Sequence, residues 1–198
     1  MPFALMLAPS PRKSATALLA WLAREGRDGL WFMTTDQSST TVNPDTVVGL
    51  LTVLRPDSSR RGTHFWGSGF TSWGVALNAW FFNNDDKTNM KSVDGSRYTG
   101  IRFFARIEEG ADPRLRVDFR AFGTEEGTGC GDNCNDRYGD TRMLITSWAE
   151  YNIEFAKCSR SGWGPDVPFD ITHLYGVNFS VRGNARFDVW VDDVRFYY

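Results

Sequence analysis

The chain has 198 residues, 23% of them charged, with a formal net charge of −2; that allows one good-sized domain with a proper core and excludes a strongly basic nucleic-acid footprint. Aromatic residues reach 15%, with 8 Trp, 6 Tyr and 15 Phe beside 19 Gly, a composition that suits short, glycine-punctuated strands in a sandwich or barrel. Two histidines, His64 and His173, leave little for a zinc site or a His-based triad, and no stretch reaches the ~18 apolar residues of a membrane span.

In chain order, "MPFALMLAPSPRK" lacks a positive segment before its apolar run and makes a poor signal peptide. Residues 11–25 predict the one good helix. Ser10 can cap it, Pro11 suits its first position and Gly26 its stop. Ala15, Leu18, Leu19 and Leu22 form its apolar stripe. Residues 1–26 are read as a helical extension, and 27–198 as one domain.

After Gly29 the period changes to two. "GSGFTSWG" (67–74) leads into a strand, its glycines supplying unusual backbone angles. Phe70 is expected to pack, while Trp73 is either a cap or an exposed ring. Val75, Leu77, Ala79 and Phe81 alternate with outward positions that include Trp80. Ile101–Ile107, Leu115–Ala121, Tyr151–Phe155 and Tyr175–Val181 alternate in the same way, each a strand with one core face and one wetter face. The wet face of the second carries Arg116, Asp118 and Arg120 in line, about 7 Å apart. Polar loops are read at 83–89, 123–140 and 159–168. In "FDVWVDDVRFYY" the core parity changes between Val191 and Val194, so one extra residue at Asp192-Asp193 predicts a β-bulge. Cys130 and Cys134 form a C-x₃-C pair, open to either a disulfide or reduced thiols, and Cys158 stands apart.

"GSGFTSWG", "YTGIRFFAR", "RLRVDFRAFGT", "CNDRYGD", "TSWAEYNIEFAKCSRSGWG" and "FDVWVDDVRFY" together cover roughly residues 27–198. They resemble bacterial galactose-binding-like β-sandwich modules, the family 11 carbohydrate-binding modules and the related complex I intermediate-associated (CIA30-like) domains. The resemblance implies an all-β jelly-roll sandwich whose concave face binds polysaccharide, a β-glucan or similar glycan, often with a structural calcium ion. It implies a secreted or cell-surface setting, which favours the Cys130–Cys134 disulfide. The family's acidic first strand has no counterpart here: the matching region reads "ALLAWLAREGRDGLW".

Sugar recognition needs flat rings against C–H faces and planar polar groups on hydroxyls. The ring candidates are Trp66, Trp73, Trp80, Tyr138 and Trp163; Trp163 in "SGWGP" is alternatively a plug over the sandwich end. The polar candidates are Asp118 and Arg120, with cross-strand ion pairing on a solvated face as the other reading. Asp192 and Asp193 are the candidate calcium ligands, a cation that wants six to eight oxygens. No spacing of the glutamates singles out a glycosidase pair, and neither histidine sits near a nucleophile elbow. The expected function is thus a non-catalytic, monomeric carbohydrate-binding module that partners a polysaccharide and, through it, a glycan-active enzyme. An assembly domain that binds protein is the alternative, and a small glycoside hydrolase the third.

Overall fold

Apolar side chains at every second residue make strands that each bury one face, and two such sheets close on each other. The computed structural model describes residues 31–39, 41–43, 51–52, 61–82 and 89–198. The proposed helix at 11–25 lies outside them. The strands are β1 (Trp31–Thr35), β2 (Val42–Asn43), β3 (Leu51–Thr52), β4 (Arg61–Gly67), β5 (Val75–Trp80) and β6 (Gly100–Ile107). They continue as β7 (Arg114–Phe122), β8 (Tyr138–Met143), β9 (Ala149–Glu154), β10 (Asp170–Val181) and β11 (Phe187–Tyr197). One sheet runs β1-β5-β10-β7-β8 and the other β2-β4-β11-β6-β9, with β3 beside β4. All the pairings are antiparallel. The described residues therefore form an all-β sandwich.

The core between the sheets follows the sequence parity. Val75, Leu77 and Ala79 of β5, Ile101, Phe103 and Ala105 of β6, Leu115, Val117 and Phe119 of β7, and Val177, Phe179 and Val181 of β10 are all buried. Phe103 meets Phe179 edge-on across the sheets, with centroids 5.2 Å apart. The bulge expected in the last strand is present. Pairing of β11 with β6 shifts register between Asp192 and Arg195, and Asp193 takes a φ of 52°. Val194 thereby returns to the core.

The loop expected over 123–140 ends earlier. β8 begins at Tyr138 and pairs with β7, Tyr138 opposite Phe119 and Gly139 opposite Asp118. As an edge strand it buries only Gly139 fully and leaves its other residues partly or fully exposed, so it carries no apolar alternation to read.

Candidate functional site

Three cross-strand rows build the outer face of the five-stranded sheet. Ala76, Ser180 and Arg116 form one; Asn78, Asn178 and Asp118 the next; Trp80, Gly176 and Arg120 the third. Paired residues project to the same side of a sheet. The missing side chain at Gly176 leaves Trp80 and Arg120 to meet over it, the guanidinium carbon 4.9 Å from the indole centroid. A Cβ at Gly176 would also stand 2.6 Å from the Ala79 carbonyl oxygen.

Arg120 is the hub of this face. Its Nε donates to Asn178 Oδ1 (3.0 Å), Nη2 to Asn78 Oδ1 (2.6 Å) and Nη1 to Glu125 Oε2 (2.5 Å). Glu125 also accepts from Arg137. Asn178 donates on to Asp118 Oδ1 at 3.1 Å. Asn78 donates to the Phe32 and Ala76 carbonyls and to Thr34 Oγ1. Asp118 and Arg120 are only 7% and 8% exposed. Burial lifts the Asp118 carboxyl above the usual range, against the pull of Arg137, Arg116 and Arg120. Burial, then the neighbouring Arg137, pushes Arg120 down to about 10, while Glu125 and Asp118 oppose the fall. Arg120 therefore stays a cation at neutral pH. Such a network has its hydrogen-bonding geometry set before anything binds.

Loops wall this floor into a cleft of about 850 Å³. One wall carries Glu125, Glu126, Cys134, Asn135, Arg137 and Trp163; the other carries Ser72, Trp73, Arg182 and Gly183. Cys130 and Cys134 are joined in a disulfide, which closes the tip of the first wall. Trp73 and Trp163 line the cleft and remain 52% and 57% exposed. Trp73 sits just before β5, where Gly74 has a φ of 102° and a Cβ would come 2.1 Å from the Val181 carbonyl oxygen. Only glycine fits that junction.

Each tryptophan is flanked by two N–H groups that one carboxylate accepts. Asp36 Oδ2 takes the N–H of Ser72 and of Gly74, both at 2.9 Å. Asp136 Oδ2 takes those of Gly162 (2.8 Å) and Gly164 (3.0 Å), and its Oδ1 that of Ser161 (2.9 Å). Slight burial works against ionisation of Asp36. Its bonds from Ser38, Gly74 and Ser72 win, holding the carboxyl at about 2. Asp136 is likewise held low, its backbone donors and Arg160 outweighing burial.

Among the residues expected to meet a ligand, Trp73, Trp163, Asp118 and Arg120 come together in the cleft. Trp66, Trp80 and Tyr138 do not line it. Trp80 leaves the core as parity requires, but at 7% exposure it lies beneath Arg120; parity sets the face and not the exposure. Tyr138 faces the same way as its partner Phe119. It stacks on Phe169 at 4.8 Å and donates its hydroxyl to the Val167 carbonyl. Trp66 belongs to the outer face of the other sheet. There it stacks on His64 (4.3 Å), His64 on Trp190 (3.9 Å), and Arg106 lies over both Trp190 and Trp148.

Sequence reasoning missed Asn78, Asn178, Glu125, Arg137, Asp36 and Asp136. An amide at the outward parity of two mainly apolar stretches, 75–80 and 174–181, was a usable signal for the first two. Nothing local marks the others, whose partners lie on different loops.

Asp192 and Asp193 stand together at the bulge, where Asp192 Oδ1 accepts the Asp193 N–H at 2.7 Å. Among the described residues no group of three or more His, Cys, Asp or Glu is placed to hold a metal. Calcium takes six to eight oxygens, of which these two carboxylates would supply a part and loop oxygens the rest. Cys158 is a free, half-buried thiol. Burial, then the charge of Asp140, pushes it up to about 12. No described helix is long and apolar enough to cross a membrane.

No family model matches the chain, and no curated protein does. Solved structures do. The family 11 carbohydrate-binding module of a cellulosomal cellulase of Clostridium thermocellum matches with a TM-score of 0.57 at 14% identity, over 85% of this chain and 87% of that one. A family 30 module of another cellulosomal cellulase of that organism matches with a TM-score of 0.61 at 12% identity, over 86% and 92%. A family 11 module of Clostridium thermocellum in complex with a β-1,3-1,4-mixed-linked tetrasaccharide matches with a TM-score of 0.54 at 15% identity, over 85% and 95%. This chain has the β-sandwich fold of the family 11 and family 30 carbohydrate-binding modules.

Proposed function

We propose that this protein is a non-catalytic module that binds a polysaccharide, a β-glucan or a chemically similar glycan, in the cleft on its five-stranded sheet. The observation that carries the reading is the pair of exposed tryptophans, Trp73 and Trp163, set over a polar floor that is already hydrogen-bonded. Exposed indoles give flat apolar surface for sugar C–H faces, and Asp118, Arg120 and Ser180 give fixed polar groups for hydroxyls. Trp80 supports this floor from below by holding the Arg120 plane. The modules of like fold support the reading, one of them with a mixed-linked glucan tetrasaccharide bound.

Such a module holds an attached or partner enzyme on its substrate. The Cys130–Cys134 disulfide supports work in an oxidising, extracellular setting. The test is affinity electrophoresis through soluble mixed-linkage β-1,3-1,4-glucan, xylan and mannan. Retardation by glucan, weakened but still measurable in Trp73→Ala and in Trp163→Ala, is expected. Unretarded migration through every glycan overturns the reading; release of reducing sugar turns it into an enzyme.

A further inference from the structure

Exposed tryptophans on loops bind poorly unless something holds them. Immobilising a flexible side chain or loop on binding costs about 0.5–1.5 kcal/mol per group, and preorganisation removes that cost. The two cleft tryptophans here share one holding device. In each, the residues immediately before and after the ring present their N–H groups to a single carboxylate oxygen: Ser72 and Gly74 to Asp36, Gly162 and Gly164 to Asp136. Bonds from N–H to an ionised acceptor are stronger than neutral ones.

The carboxylates are anchored outside the loops they hold. Asp36 directly follows β1, one edge of the five-stranded sheet, and its own N–H donates to the Gly74 carbonyl at 2.9 Å. Asp136 lies two residues before β8, the other edge. The loop bearing Trp163 is further pinned by the reciprocal Gly139–Ser159 backbone pair and by Arg116, which donates to the Ser159 carbonyl at 2.8 Å. The loop bearing Trp73 is pinned by Ser38, whose hydroxyl accepts the Thr71 N–H at 2.8 Å. Neither carboxylate is among the residues lining the cleft.

We infer that Asp36 and Asp136 are positioning residues. They fix the backbone on both sides of Trp73 and Trp163 before ligand arrives, so that a glycan chain crossing the central strands meets two rings whose points of attachment are already in place. This rests on the polysaccharide reading, but the positioning itself has a readout that needs no ligand.

The protein is labelled with 5-fluorotryptophan, and the Trp73 and Trp163 fluorine resonances are assigned from Trp73→Phe and Trp163→Phe. In the wild type each is expected to give one narrow line. Asp36→Ala is expected to shift or broaden the Trp73 line alone, and Asp136→Ala the Trp163 line alone. Where an alanine variant fails to fold, Asp36→Asn and Asp136→Asn serve: a neutral amide oxygen accepts the paired N–H groups more weakly than a carboxylate, so the same line is expected to shift or broaden, by less. Unchanged lines in folded variants overturn the inference, whether or not glycan binds.

Calorimetry with soluble mixed-linkage β-glucan is the second arm. Asp36→Ala is expected to weaken binding about tenfold, and to weaken it no further when placed on Trp73→Ala. A loss that persists undiminished in the Trp73→Ala background shows that Asp36 does not act through the ring and overturns the inference. Wild-type protein that binds no glycan, with fluorine lines that respond as expected, overturns the polysaccharide reading and leaves the positioning intact.

Discussion

The two outer faces of the sandwich carry the same kinds of side chain and use them in opposite ways. On the six-stranded sheet the rings are spent on one another. Trp66, His64 and Trp190 stack in sequence, Arg106 lies over Trp190, the Trp190 Nε1 donates to Glu108 at 3.1 Å, and His64 bonds Asp188 at 2.7 Å. On the five-stranded sheet the ring and cations of the floor are tied down, Trp80 under Arg120 and Arg120 by Asn78, Asn178 and Glu125. Two further rings, Trp73 and Trp163, are held by their backbones and left open. Aromatic content does not make a binding face. What makes one is a ring whose position is fixed without using its own surface.

The harshest way to break the comparison is to remove Glu125, which neutralises Arg120 and Arg137 together. Glu125→Ala removes the carboxylate shared by the buried Arg120 and the half-buried Arg137 and is expected to cost about 3 kcal/mol of stability in urea unfolding. Reducing the Cys130–Cys134 disulfide is the next largest change. It closes a very short loop, so dithiothreitol is expected to lower stability by about 2 kcal/mol, with a loss of glycan affinity because Cys134 belongs to the cleft wall. Trp66→Ala sharpens the contrast: it should cost about 1 kcal/mol or more from the lost stack and leave glycan binding unchanged. Trp163→Ala should do the reverse.

The smallest effects are in the pH profile, and they separate the faces. Burial holds His64 below its ordinary 6.5, against the pull of Asp188. The folded state thus favours neutral His64, so its contribution is complete above pH 6.5 and is lost as pH falls through the lower folded value. His64→Gln should flatten that limb of the melting curve, with glycan binding unaffected. Asp36 is held at about 2, against about 3.9 unfolded. Its contribution is present above pH 4 and is lost as pH falls towards 2, in a limb that Asp36→Asn removes.

Strand parity gave away most of the architecture. Val75 to Ala79, Ile101 to Ile107 and Leu115 to Ala121 announce their buried faces, and the phase break at Asp192-Asp193 announces the bulge, because a period of two leaves little freedom. β8 was illegible because an edge strand needs no clean alternation. The site was legible in the outward strand residues Asp118 and Arg120 and in the loop rings Trp73 and Trp163, and not in most of the groups that hold them. Asp36 and Asp136 were hidden because their partners are backbone N–H groups more than 20 positions away, and a backbone donor leaves no mark on the residue type. Trp66 and Trp163 look alike in the sequence; only the presence of His64 and Trp190 beside the first tells them apart.

Cys158 has a practical consequence. The thiolate is the form that attacks alkylating reagents and other thiols, and a thiol held near 12 offers almost none of it at neutral pH. With Cys130 and Cys134 already paired, the oxidised protein is expected to react only slowly with maleimide. A single cysteine introduced on an exposed position of the six-stranded sheet would then be its one reactive handle. Dye or resin attached there leaves the opposite face free, so the cleft can be presented to immobilised glycans to test whether it binds them.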